Sequence, residues 1–317
     1  YFSHPNYANS PLPGNIVADW NAIAQEILQP SGMNMNMTTG VSMSAAFVYL
    51  SYVQASIFNA LVAIEGGYTP YNSLLPAADP NASREAAVAA AAYGVLSAKF
   101  PSTTLDAQYA DALASIPDGA NKTNGVAVGQ AAAAEILALR AADVLTGDGG
   151  YVVPAPGPGV WEPNVLPDGT TMPPMDPWMA QLQPFLRATP DQYRQVPPPA
   201  LDDPTYLADL AEVKDIGSAM SATRTVEQTE VAKFWATNMV IQTNAAYRQV
   251  AESRRLGLLD TARLMAMGNM VATDSLIYTF DTKYFYEFWR PTTAIRHTNP
   301  DGSYSATELN TWMPAVM

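Results

Sequence analysis

Residues 281–297 read DTKYFYEFWRPTTAIRH. Five aromatic residues, Tyr284, Phe285, Tyr286, Phe288 and Trp289, crowd around Lys283, Glu287 and Arg290, and Pro291 follows at once. As a helix this stretch carries rings on nearly every side, which marks a buried helix. Lys283 and Arg290 stand seven residues apart. That is two helical turns and sets both on one face, roughly 10 Å apart along the axis. Pro291 disfavours helical backbone at Arg290, so the helix is expected to end there. Buried cations require an anion. Glu287, four residues after Lys283 and three before Arg290, can supply it as a Lys–Glu–Arg ladder. A bound oxyanion can supply it instead, matched to the planar arginine fork and the point charge of lysine. The residues alone leave both open.

The rest of the chain reads as helix. The stretch NIVADWNAIAQEILQ (15–29) places Ile16, Trp20, Ile23, Ala24 and Ile27 on one face. Residues 41–64 are apolar on most sides and read as a central helix, and Ser83 reads as the N-cap of a helix over 83–100. Further helical patterns cover 103–116, 121–143, 205–219, 226–250 and 259–280, the last running into the opening stretch. More than half of the 26 prolines fall between 147 and 204. A segment that long without periodicity is unusual inside a compact domain, and Trp161, Trp178 and Phe185 mark it as an ordered cover packed onto helices. The expected organisation is a helical region over 1–146, a proline-rich ordered connection over 147–204, and the first part of a helical bundle over 205–317. The expected fold class is all-α.

Composition narrows the function. The chain of 317 residues is 48% hydrophobic and 14% charged, as a globular protein is, and carries a formal charge of −13. So acidic a chain, with no basic cluster, repels phosphate backbones and excludes nucleic acid as the expected partner. No apolar run reaches the length of a membrane span, so a soluble protein is expected. The absence of cysteine excludes disulfides, thiolate metal sites and cysteine nucleophiles. A first residue that is not methionine, and three N-x-[ST] sequons at Asn36, Asn81 and Asn121, point to a secreted, glycosylated protein. The two histidines, His4 in an irregular arm and His297 ahead of a turn, read as solvated. Asp202 and Asp203 read as solvated caps, and the methionine run over 32–37 as a loop. Nucleotide-binding glycine motifs, HExxH and the GxSxG nucleophile elbow are all absent.

The segment FDTKYFYEFWRPTTAIR (280–296), with its K-x6-R-P pattern, resembles the first signature of the vanadium-dependent haloperoxidases. That family shares its helical fold with the type 2 phosphatidic acid phosphatases and bacterial acid phosphatases. RTVEQTEVAKFW (224–235), VPPPALDDPTYLADLAEVKDIGS (196–218) and YVQASIFNALVAIEGGYTPY (52–71) also look like segments of this family. The resemblance implies that Lys283 and Arg290 bind vanadate, or phosphate in its place. It implies also that Phe280 helps wall the pocket, and that Lys283 contacts peroxide while halide is oxidised. Hydrogen peroxide and halide are then the substrates, or a phosphate ester in the phosphatase version. The family's further signatures, P-S-G-H and S-R-x6-H, which supply the histidine bonded to vanadium, do not occur here. The chain is therefore expected to be the first portion of a longer protein, completed by a C-terminal portion, a second chain or a second copy. A catalytically silent relative and a secreted structural or interaction protein are the alternatives.

Overall fold

A computed structural model describes residues 14–29, 41–165, 170–299, 303–308 and 311–315. In chain order the helices are α1 (Ile16–Leu28), α2 (Met43–Glu65), α3 (Arg84–Lys99), α4 (Thr103–Ala114) and α5 (Ala120–Leu139). After a 3-10 helix (Pro177–Gln181) come α6 (Pro204–Ile216), α7 (Val226–Trp235), α8 (Met239–Ser253), α9 (Leu258–Tyr286) and α10 (Pro291–His297). Among the described residues extended backbone pairs only in isolated bridges, so the fold is all-α, as expected. Two compact units are present. The first takes Tyr1–Val144, Pro184–Leu186 and Asn238–Ser275; the second takes Leu145–Gln183, Arg187–Thr237 and Leu276–Met317. These units cut across the three consecutive segments read from the sequence.

In the first unit, side chains of Asn15, Ser42, Ser83 and Ser102 accept backbone N–H bonds at the starts of α1 to α4. Each satisfies a donor that the helix itself cannot. α2 is buried on nearly every side. With 23 residues it is long and apolar enough to cross a membrane, against the expectation from sequence, yet 89% of its most apolar window is buried within the protein, as in a core helix.

The polar interior explains where the apolar pattern of α1 misleads. Arg248 on α8 is buried, and its guanidinium donates to Asn21 Oδ1 at 2.6 Å and Gln25 Oε1 at 3.0 Å. Asn21 also donates to Asn244 at 2.8 Å, which accepts from Asn269 at 3.0 Å. α1 therefore turns Asn21 and Gln25 inward beside Trp20 and Ala24, while Ile16, Ile23 and Ile27 are only half-buried. Burial pushes the Arg248 guanidinium down to about 10, since amide oxygens replace water without adding a negative charge. The expected helix over 226–250 is broken into α7 and α8. Asn238 makes the break, its side chain accepting from the N–H groups of Val240 and Ile241.

In the second unit Trp161 and Trp178 are buried, so the proline-rich stretch there is ordered cover; Phe185 belongs to the first unit, 4.2 Å from the Arg140 guanidinium. Asp203 caps α6, and Thr225 with Gln228 forms a capping box on α7.

α3 and α5 approach closely because both present small residues. The alanines of 86–92 are buried without exposed surface, and a Cβ on Gly129 would stand 2.3 Å from the carbonyl oxygen of Ala87. Gly129→Ala must therefore push a helix backbone aside. The expected cost is about 1–3 kcal/mol, seen as a lower denaturation midpoint at unchanged slope. An unchanged midpoint would show that the two helices do not meet there.

Candidate functional site

Lys283 lies in the last turn of α9, which ends at Tyr286, earlier than Pro291 alone led one to expect. Glu287 takes a left-handed backbone, φ 48°, and turns the chain out of the helix. The emerging backbone pairs with the proline-rich stretch. Trp161 N–H donates to Glu287 O at 2.6 Å, and Trp289 N–H donates to Gly159 O at 3.0 Å, across the Val160–Phe288 bridge. Arg290 is then extended, φ −77° and ψ 155°, as the N-cap of α10 with Pro291 in its first turn. The two cations are thus not successive rungs of one helix. They lie on either side of a turn.

That pairing sets Trp161 beside the cations. The Arg290 guanidinium carbon is 5.5 Å from the centre of the Trp161 ring. Tyr151 stands edge-on to Trp161 at 6.3 Å and to Tyr284 at 4.7 Å, and Tyr284 is 6.1 Å from Phe280. Lys283 Nζ lies 4.9 Å from each of the Phe280 and Tyr284 ring centres. The aromatic faces attract both cations, typically by about 0.5–1 kcal/mol per contact. They do not neutralise them.

The ladder through Glu287 does not form. The Glu287 carboxylate faces neither cation closely enough for an ion pair, and it helps burial to push the Tyr151 hydroxyl pKa up. Among the described residues, the side-chain nitrogens of Lys283 and Arg290 make no hydrogen bond or ion pair. Burial lowers the Lys283 ammonium below the usual lysine range, and the Arg290 charge lowers it further, with Asp176 opposing both. Burial also lowers Arg290. Burial and the Asp176 charge push the Tyr284 hydroxyl up to about 12, against Arg290.

Two residues missed by sequence reasoning as site residues complete the surroundings. Trp161 Nε1 and Asp176 Oδ2 are buried and have no hydrogen-bond partner. Such orphans cost about 1–3 kcal/mol each. Neither carried a signal in the sequence, since only the backbone pairing of 159–161 with 287–289 brings Trp161 here. His297 is a correction. It is buried, 7% exposed, with Nδ1 2.8 Å from Ser305 O, Nε2 3.2 Å from Glu162 Oε1 and its ring stacked on Tyr304. Both its nitrogens face oxygen atoms of the protein, so it is no solvated loop histidine.

An open pocket of about 400 Å³, lined by Pro154, Pro199, Leu201, Tyr286, Glu287 and Phe288 among others, includes neither Lys283 nor Arg290. Among the described residues no cluster of three or more His, Asp or Glu could hold a metal ion directly. Asn81 and Asn121 are exposed; Asn36 and His4 lie outside the described residues.

The uncompensated ammonium has a measurable signature. Folding lowers the Lys283 pKa from the usual 10.5, so the unfolded chain keeps this proton to higher pH than the folded one. Its contribution to stability is therefore unfavourable at neutral pH and is relieved as pH rises from the lowered value towards 10.5. Lys283→Met should raise the melting temperature of the anion-free protein at pH 7, on the order of 1–3 °C. The advantage over the parent should shrink as pH climbs towards the ordinary lysine range. A lower melting temperature in the variant would mean that the chain itself compensates the charge.

Comparison with known proteins bears on the fold. Residues 263–315, which include the last part of α9, Lys283, Arg290 and α10, match the family model for the VCPO second helical-bundle domain. An apo-type bacterial vanadium-dependent chloroperoxidase superposes with a TM-score of 0.66 at 17% identity, over 80% of this chain and 65% of that one. The first bacterial vanadium-dependent iodoperoxidase gives 0.71 at 18% identity, over 94% and 75%. A holo-type bacterial vanadium-dependent chloroperoxidase gives 0.67 at 16% identity, over 91% and 72%. No curated protein matches by sequence. This chain thus spans 65% of the length of the apo-type chloroperoxidase. Residues 263–315 are thus similar to the VCPO second helical-bundle domain, within a chain whose helical fold is that of the vanadium-dependent haloperoxidase structures.

Proposed function

We propose that Lys283 and Arg290 form the cationic side of an oxyanion site in a haloperoxidase that oxidises halide with hydrogen peroxide. The observation that carries this reading is the pair of half-buried cations to which, among the described residues, no carboxylate is bonded. Two positive charges under aromatic rings, with an unused indole N–H beside them, form a donor set without its acceptor. Vanadate fits that set, and so does phosphate, its tetrahedral analogue. When bound, vanadate supplies the Lewis-acid centre at which peroxide becomes an oxidant.

The protein's own residues then have separate tasks. Arg290 cannot lose its proton at working pH and holds a permanent charge against the oxyanion. Lys283, with its lowered pKa, donates to an oxygen of the guest and withdraws electron density from it. Phe280 and Tyr284 cover the ammonium and keep water from it, which strengthens both effects. The histidine that the resemblance places on vanadium is not supplied by His297, whose nitrogens are both occupied. That bond is assigned to sequence beyond these residues or to a second chain. Exposed sequons at Asn81 and Asn121 support the accompanying reading of a secreted glycoprotein.

Equilibrium dialysis against vanadate, with phosphate as competitor, tests the site. The parent should bind saturably, and Lys283→Ala and Arg290→Ala should each weaken binding at least ~10-fold, about the worth of one charge-assisted hydrogen bond. Vanadate-dependent oxidation of bromide by peroxide separates the haloperoxidase from a phosphatase, which would cleave a phosphate ester and leave bromide unchanged. Binding that both alanine variants retain would remove the site from these residues.

A further inference from the structure

The polar atoms left over around Lys283 and Arg290 are of two kinds. The indole N–H of Trp161 can only donate, and a carboxylate such as that of Asp176 can only accept. Both are buried and unpartnered. Asp176 is held in place by its own turn. Its backbone is left-handed, φ 46°, at the head of the 3-10 helix, where its side chain makes no capping bond. The hydroxyl of Tyr284 donates to the carbonyl of the preceding residue, Met175, and ties this turn to the end of α9 next to Lys283. The carboxylate lies near enough for its charge to act on both Lys283 and Tyr284, yet it forms no ion pair with the ammonium.

A carboxylate beside an anion site is a poor choice if every oxygen of the guest is bare. Lone pairs then face lone pairs, and like charges add to the repulsion. The position becomes favourable when the guest carries a hydroxyl, which donates to the carboxylate while the remaining oxygens accept from lysine, arginine and indole. We propose that Asp176 selects the protonation state of the guest, so that the site takes oxyanions that retain a proton near neutral pH, such as phosphate and vanadate, and rejects sulfate, which retains none. This rests on the oxyanion reading above and names a specificity residue within that site.

The test is a pair of calorimetric titrations, with phosphate and with sulfate, at pH 7 and constant ionic strength. It uses the whole chain, the Asp176→Asn variant, and Asp176→Ala as a second variant that removes the carboxylate without adding a donor. Melting curves show that each variant is folded. The parent should prefer phosphate over sulfate by ~10-fold or more, the usual worth of one hydrogen bond to a charged group. In both variants the preference should fall to within ~3-fold, chiefly because sulfate binds better. If the variants strengthen both anions equally, Asp176 is only a counter-ion to Lys283 and the proposal is wrong. An unchanged ratio also overturns it. If the parent binds neither anion, the oxyanion site itself fails, and the role of Asp176 falls with it.

Discussion

A positive charge held away from water must be balanced, and around the turn from α9 to α10 stand two that no described carboxylate pairs with. Burial lowers both Lys283 and Arg290, the Arg290 charge lowers Lys283 further, and Glu287, which stands between them in sequence, forms an ion pair with neither. Everything else about the site follows from how this is arranged. Glu287, by adopting left-handed backbone, ends the helix, and its carboxylate pairs with neither cation. The same turn exposes the backbone of 287–289 for pairing with 159–161, and that pairing brings Trp161 to Arg290. One backbone conformation therefore removes the obvious counter-ion and supplies the aromatic enclosure.

The first unit shows how the same protein treats buried cations that serve structure. Arg140 is buried but bonds Asp143 at 2.7 Å and lies over Phe185. Arg248 is buried with no carboxylate, but its guanidinium is received by Asn21 and Gln25. A half-buried arginine in the second unit, Arg194, forms a two-pronged pair with Asp281 at 2.7 and 2.8 Å. In each of these the donors find acceptors, as buried polar groups nearly always do. Lys283 and Arg290 differ in kind. The contrast within one chain weighs more than the motif spacing alone, because the fold readily supplies acceptors where stability needs them.

Much of the helical fold was legible in the sequence. The cap at Ser83 and the apolar stretch of α2 are local signals, and α2 and α3 form where they stand. The misreadings have one physical source. A sequence pattern describes what a segment prefers alone, whereas Asn21 and Gln25 are buried because Arg248 reaches them from more than two hundred residues away. The break between α7 and α8 was readable in principle, since Asn238 is a strong capping residue, but the apolar period across it masked the signal. At the candidate site, Lys283 and Arg290 could be singled out from their spacing, and Phe280 from the resemblance. Trp161 and Asp176 could not, because long-range backbone pairing and the Tyr284–Met175 hydrogen bond bring them there. His297 was misread for the same reason: its burial depends on Glu162, Ser305 and Tyr304, none of which neighbours it in sequence.

The charge of the whole chain gives the local arrangement its meaning. At −13, the protein's average field repels small anions, and the net charge offers no help in drawing one in. Solvent and salt weaken that repulsion over about 8 Å at physiological ionic strength, so distant surface charges add little at the half-buried cations. Beneath the aromatic rings, two half-buried cations and an indole N–H would act on a bound oxyanion at short range, through a medium less polarisable than water. Recognition is then settled by direct hydrogen bonds, where the geometry of donors and acceptors matters more than total charge. An acidic protein is in this respect a suitable host for a demanding anion site. Its surface discourages loose association, and under the proposed reading a guest gains most when it meets both cations and offers a proton to Asp176.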